Sequence, residues 1–183
     1  GLPTLVNNVE TLSQIPYIIK NGADYYNQIG TAGSKGTKVF ALAGKIRHGG
    51  LVEVPMGITL NQIIEGIGGG VEGGEKLKAV QIGGPSGGCI PAHLCDVQVD
   101  FDAFNQMGAM MGSGGLVVLS ESDCMVDMAR YFLSFTCEES CGKCTFCRVG
   151  IRRVLDLLDK ICSGKAVMED LDKLEELAHA VKK

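Results

Sequence analysis

Lys38–Gly44 (KVFALAG) and Leu51–Pro55 (LVEVP) are the stretches on which the fold turns. The first has the apolar composition of a strand, and the second alternates with a strand's period of two. His48-Gly49-Gly50 supplies a turn between them. Further along, Thr59 is placed to cap a short helix, with Gln62 three positions on as its capping-box partner. Ile63, Ile64 and Ile67 give that helix a buried side, and Gly66–Gly74 breaks it. Lys78–Ile82 (KAVQI) and Gly115–Leu119 (GLVVL) are further apolar strands. Two strands, a helix and then more strands is the order of a β-grasp unit, so residues 36–120 are expected to form one such α+β domain.

On either side the pattern changes. Pro3 and Pro16 bracket Thr4–Ile15, where Leu5, Val9 and Leu12 predict one apolar helical face. Asn21-Gly22 and the run Gly30–Gly36 mark turns, which places a boundary near residue 36. Residues 1–35 thus read as the tail of a preceding domain. The chain starts on Gly1 and stops inside a helical pattern at Val181-Lys182-Lys183, as an excised piece would. Residues 121–183 are helical throughout. Ser120 with Asp123 resembles a capping box before Met125, Val126, Met128, Ala129, Phe132 and Leu133. A second helix carries Ile151, Val154, Leu155, Leu158 and Ile161 and stops at Gly164. A third carries Leu171, Leu174, Leu177, Ala178 and Val181. Three single apolar faces predict a small helical bundle.

Composition excludes several functions. The net charge of −4 over 183 residues gives no basic footprint for nucleic acid, and the sign is wrong for an anionic membrane surface. No apolar run approaches the roughly 20 residues of a membrane span. A cytoplasmic protein is the expectation, either free or at the edge of a membrane complex.

Four of the eight cysteines, Cys137, Cys141, Cys144 and Cys147, fall within eleven positions. A secreted disulfide scaffold would spread its cysteines more evenly. Ser140-Cys141-Gly142-Lys143-Cys144-Thr145-Phe146-Cys147-Arg148 has C-x-x-C-x-x-C spacing, which can bend round one inorganic cube so that each thiolate takes one iron. Gly142 permits close backbone approach, while Lys143 and Arg148 would offset the negative charge of cluster and thiolates. Amides at the start of the following helix could donate toward sulfur. Structural zinc more usually shows two separated cysteine pairs or cysteine with histidine, and His93 and His179 are remote. An iron–sulfur cluster on Cys141, Cys144 and Cys147 is therefore the expectation, with zinc, a disulfide or plain thiols as the competing readings. The fourth ligand is open: Cys137 is nearest but can simply pack in its helix, Cys162 reads as core, and the true ligand can lie beyond Lys183.

Gly68–Gly73 matches G-x-G-x-x-G literally, but it follows a helix and precedes a strand, the reverse of a dinucleotide fingerprint. A plain turn is expected there, as it is at Gly83–Gly88 and Gly112–Gly115, although a loop after a strand can also cradle a phosphate. His48, His93 and His179 are isolated and suggest no hydrolytic site. The acidic run Glu169, Asp170, Asp172, Glu175 and Glu176 reads as a solvated helix face, and the pair Met110-Met111 as core.

Glu139–Arg148 (ESCGKCTFCR) resembles the cluster motif of the flavin-bearing subunit of NADH dehydrogenases. Thr4–Leu12 (TLVNNVETL) resembles the end of that family's FMN and NADH domain, and the middle its soluble-ligand-binding β-grasp domain. Gly83–Pro91 (GGPSGGCIP) and Gly108–Gly115 (GAMMGSGG) are closer to the NAD(P)-linked, electron-bifurcating iron-hydrogenase branch. The resemblance implies a relay in which a nicotinamide cofactor gives a hydride to FMN and FMN passes single electrons to a [4Fe–4S] cluster. It also implies that Asn7 and Asn8 face the FMN and that other subunits of a redox complex are the partners. The family's glycine-rich FMN and NADH site and its fourth cluster cysteine fall outside this sequence, and Phe146 replaces a proline common in the motif. The chain alone is therefore expected not to oxidise NADH. The alternative is a non-catalytic ligand-binding or subunit-docking module with a structural cluster or zinc site.

Overall fold

The computed structural model describes residues 1–182. Five strands form one mixed sheet: β1 (Thr37–Gly44), β2 (Gly50–Pro55), β3 (Leu77–Ile82), β4 (Gly88–Pro91) and β5 (Gly115–Ser120), in the order β2-β1-β5-β3-β4. β1 runs parallel to β5 and antiparallel to β2, while β3 is antiparallel to both β5 and β4. Phe40 faces Val52, Leu42 pairs with Leu116, and Val80 lies between Val118 and Ile90. Because side chains alternate across a sheet, this register gathers Phe40, Leu42, Val80, Ile82, Leu116 and Val118 on one face. Leu60, Ile63, Ile64, Phe104 and Met111 pack with them in a single core. On the other face the partners Ala79 and Leu119 are also buried.

The Thr59–Gln62 box forms as expected: Gln62 N–H donates to Thr59 Oγ1 at 3.2 Å, and Thr59 N–H donates to Gln62 Oε1 at 3.0 Å. The element it opens is a wide π turn, Gln62–Ile67, and not an α-helix. Ile63 and Ile64 are fully buried, but Ile67 remains 41 % exposed where the chain leaves the turn at Gly68. Gly68–Gly73 is a turn, with Gly68 and Gly70 carbonyls accepting from His48 and Arg47. Gly83–Gly87 turns β3 into β4, a strand that the sequence alone shows only as loop. A Cβ on Gly87 would meet the Ile82 carbonyl oxygen at 1.8 Å, so glycine is required there. A short helix, α3 (Phe101–Gln106), equally lacks a sequence signal; Asp100 caps it and Phe104 anchors it. Met111 is core, whereas Met110 is half exposed.

The first helix, α1 (Val9–Asn21), starts later than expected and runs through Pro16. Asn8 sets the start because its side chain accepts Glu10 N–H at 2.9 Å, the bond that satisfies an unpaired amide of the first turn. Leu5 thus precedes the helix and is exposed, as is Val9. The short α2 (Ala23–Asn27) follows. What fixes α1 to the sheet is a charge pair. Lys38, 5 % exposed, reaches Glu10 Oε2 at 2.5 Å and also donates to the Val39 and Ser113 carbonyls. Glu10 Oε1 accepts Val39 N–H at 2.9 Å. Every charged oxygen and proton there has a partner, the condition under which a buried pair is tolerated. Lys38→Met leaves Glu10 without its cation and is expected to lower stability by about 2 kcal/mol, read from the urea midpoint. Glu10→Gln in the same background should add less than it does alone.

Candidate metal centre

Three helices follow the sheet: α4 (Met125–Glu138), α5 (Ile151–Cys162) and α6 (Met168–Lys182). α4 packs against the Gly84–Ser86 turn of the sheet, and α5 lies along α4. Ile151, Leu155 and Leu158 are the buried stripe of α5. Gly164 ends this helix in a left-handed turn, with Lys165 N–H donating to Lys160 O and Gly164 N–H to Ile161 O, a Schellman closure. Asp123 Oδ2 does accept Ser120 N–H at 2.7 Å, but the bond closes the turn before α4, and Cys124 occupies the cap position itself.

The cysteine motif is the connection between α4 and α5. Gly142 takes φ +71° with open space where a Cβ would be, so the left-handed backbone alone demands glycine. Its N–H donates to Ser140 Oγ at 3.2 Å, and its carbonyl accepts from Arg148 Nη1 at 3.1 Å. Arg148 N–H donates in turn to the Cys144 carbonyl at 2.8 Å. Phe146–Gly150 is a second π turn, in which Ile151 N–H reaches back five residues to the Phe146 carbonyl. Such wide turns inside helices recur at functional sites, and this one carries Cys147. Cys141 and Cys144 are exposed, Cys147 is half-buried, and all eight cysteines are free thiols. Ser140 Oγ lies 3.1 Å from Cys147 Sγ.

Among the described residues, no three His, Cys, Asp or Glu side chains converge as ligands of one ion. A lone zinc needs its sulfurs gathered around a single centre at about 2.3 Å each. A cluster gives each thiolate its own iron. The residues present fit that donor set: three free thiols at C-x-x-C-x-x-C spacing about a left-handed glycine.

Other candidates fall elsewhere. Cys162 is exposed, contrary to the core reading, because it is the last residue of α5 and lines an open cleft with Cys124, Asp127, Arg130 and Asp159. Cys137 is half-buried in α4. Asn7 and Asn8 are exposed at the start of α1, and among the described residues no hydrogen bond joins them to the cysteine loop. A cavity of about 350 Å³ is lined by Gln14, Tyr17, Tyr26 and Glu53, and by no cysteine.

Residues 127–183 match the family model described as the NADH-ubiquinone oxidoreductase-F iron-sulfur binding region. The chain is 55 % identical over 180 residues to the NADP-reducing hydrogenase subunit HndC of Solidesulfovibrio fructosivorans, covering 98 % of this chain and 37 % of that protein. It is 42 % identical over 179 residues to the F 2 subunit of the NADH-quinone oxidoreductase of Rhizobium meliloti (strain 1021), covering 98 % and 42 %. Over nearly all its length the chain is similar to subunits of these two kinds, and residues 127–183 carry the iron-sulfur binding region. The crystal structure of an NAD+-reducing [NiFe]-hydrogenase in the air-oxidized state superimposes on it with a TM-score of 0.85 at 34 % identity, over 98 % of this chain and 30 % of that one. The chain thus spans less than half the length of these two relatives.

The iron–sulfur binding region includes α6, which backs the loop. Val181 approaches so closely that a Cβ on Gly150 would meet its Cγ2 at 2.6 Å. Leu174, Leu177 and Val181 are partly buried, whereas Leu171 and Ala178 are exposed. Within the acidic run, Asp170 is buried and not solvated. Its Oδ2 accepts from Lys160 Nζ at 2.6 Å and from Val167 N–H at 2.8 Å, tying the start of α6 to α5. These bonds, the one from Lys160 first, hold its carboxyl below the ordinary carboxylate range. A carboxyl whose folded pKa is lowered stabilises fully above its unfolded value and loses that contribution as pH falls through the folded one. Asp170→Asn should therefore lower Tm at pH 7, and its deficit against wild type should shrink as pH drops below about 4. Thermal melts across pH check this.

Proposed function

We propose that this chain is the electron-transfer segment of an NAD(P)H-linked oxidoreductase subunit, in which Cys141, Cys144 and Cys147 hold a [4Fe–4S] cluster. The observation that carries this reading is the loop itself: three free thiols at C-x-x-C-x-x-C spacing between α4 and the second π turn, inside a matched iron–sulfur binding region. Such a cluster supplies one-electron transfer. The chain's own residues hold and shield it. Gly142 bends the loop, Arg148 pins the loop carbonyl and brings positive charge beside the thiolates, and the α5–α6 pair keeps the π turn from unwinding. The fourth ligand comes from outside the triplet.

In the parent subunit, electrons arrive from NAD(P)H through FMN. Asn8 keeps its amide N–H groups free after its oxygen has capped α1, and Asn7 beside it is exposed, so both have donors to offer a flavin. The sheet order β2-β1-β5-β3-β4 supports a β-grasp unit over 36–120, between an N-terminal tail over 1–35 and the helical cluster-bearing region over 121–183. Partners are the other subunits of a cytoplasmic redox complex, in keeping with the subunit status of the relatives. No described helix is long and apolar enough to cross a membrane.

Anaerobic reconstitution with iron, sulfide and an external thiol for the fourth position tests the assignment. About four irons per chain and an EPR signal on dithionite reduction are expected. Cys141→Ser, Cys144→Ser and Cys147→Ser should each lower the iron bound. A colourless product that takes up zinc and no iron contradicts the reading.

A further inference from the structure

Ser140 stands outside the ligand set, yet its hydroxyl is the one side-chain partner that any motif cysteine has among the described residues. Its oxygen lies 3.1 Å from Cys147 Sγ and accepts the Gly142 N–H at 3.2 Å. A hydroxyl has one proton and two lone pairs. Gly142 occupies a lone pair, so the proton is free to point at sulfur. A metal-bound thiolate has no proton to give and can only accept. Once Cys147 is a thiolate, the direction of the bond is fixed: Ser140 O–H donates to Cys147 Sγ.

We propose that Ser140 is a positioning residue, whose hydroxyl aims the Cys147 sulfur and, by donating to it, raises the reduction potential of the bound cluster. This rests on the assignment of the cluster to Cys141, Cys144 and Cys147. The physical reason is charge. Reduction adds an electron to an already negative group, and a donor at sulfur stabilises the more negative state. The same oxygen joins Gly142 and Cys147, so it couples the bend of the loop to the orientation of the ligand within the π turn. Among the described residues Cys141 and Cys144 have no such bond, and both are open to solvent, which makes Cys147 the fixed point of the three.

EPR-monitored redox titration of the reconstituted full chain tests this in wild type, Ser140→Ala and Ser140→Thr. Ser140→Ala should move the midpoint to lower potential, and Ser140→Thr, which keeps a hydroxyl, should restore it. Reduced iron loading in Ser140→Ala that Ser140→Thr rescues supports the same role. Equal loading with an unchanged midpoint in Ser140→Ala overturns it. A second measurement needs no iron. In the metal-free chain at neutral pH, iodoacetamide labelling of each cysteine is followed by mass spectrometry. Loss of the hydroxyl that holds the Cys147 sulfur in place should change the Cys147 rate several-fold relative to Cys141. An unchanged ratio overturns the proposal. If wild type takes up no iron, the functional reading fails, and the labelling ratio alone decides the role of Ser140.

Discussion

The packing of the Ile151, Leu155 and Leu158 stripe of α5 against α4 leaves only a short connection, residues 139–145, in which to reverse the chain. That constraint shapes the whole region. The reversal uses a residue at positive φ, Gly142. The helical path must then resume off-register, and it does so through the π turn that carries Cys147. Thiols that are neighbours in sequence are therefore spread around a bend and not stacked on one helical face. α6 locks this arrangement from behind, with Val181 against Gly150 and Asp170 clamped by Lys160.

The sheet performs a different task. Its core of Phe40, Leu42, Val80, Ile82, Leu116 and Val118 is closed on itself, and it offers two attachment points. At one, Lys38 and Glu10 fasten α1, and with it the Asn7-Asn8 pair. At the other, the Gly84–Ser86 turn meets α4. The proposed flavin edge and the proposed cluster loop are thus both attached to one sheet.

Much of this is legible in the sequence because the signals are local. The alternation in β2, the Thr59–Gln62 box, the stripe of α5 with Gly164 at its end, and the cysteine spacing all rest on contacts within a few residues. The features that escape such reading depend on partners far along the chain. β4 has too few residues to show a period and exists because β3 pairs with it. The burial of Asp170 depends on Lys160, and the exposure of Cys162 on the open cleft it lines with residues of α4. No propensity separates a π turn from an α-helix in Gln62–Ile67 or Phe146–Gly150, since the same residues serve both. Pro16 misleads for another reason: at an exposed position the helix bears the loss of one hydrogen bond and continues.

The site itself can be read from residue types, and its supporting contacts cannot. Nothing in ESCGKCTFCR announces that Ser140 lies against Cys147 or that Arg148 reaches back to Gly142. Iron-edge X-ray absorption on the anaerobically reconstituted chain tests the central claim most directly. An all-sulfur first shell with a distinct iron–iron shell is the predicted result, and it should vanish in a Cys141, Cys144 and Cys147 triple serine variant. Iron held by oxygen or nitrogen, or sulfur-bound iron without an iron neighbour, would contradict it.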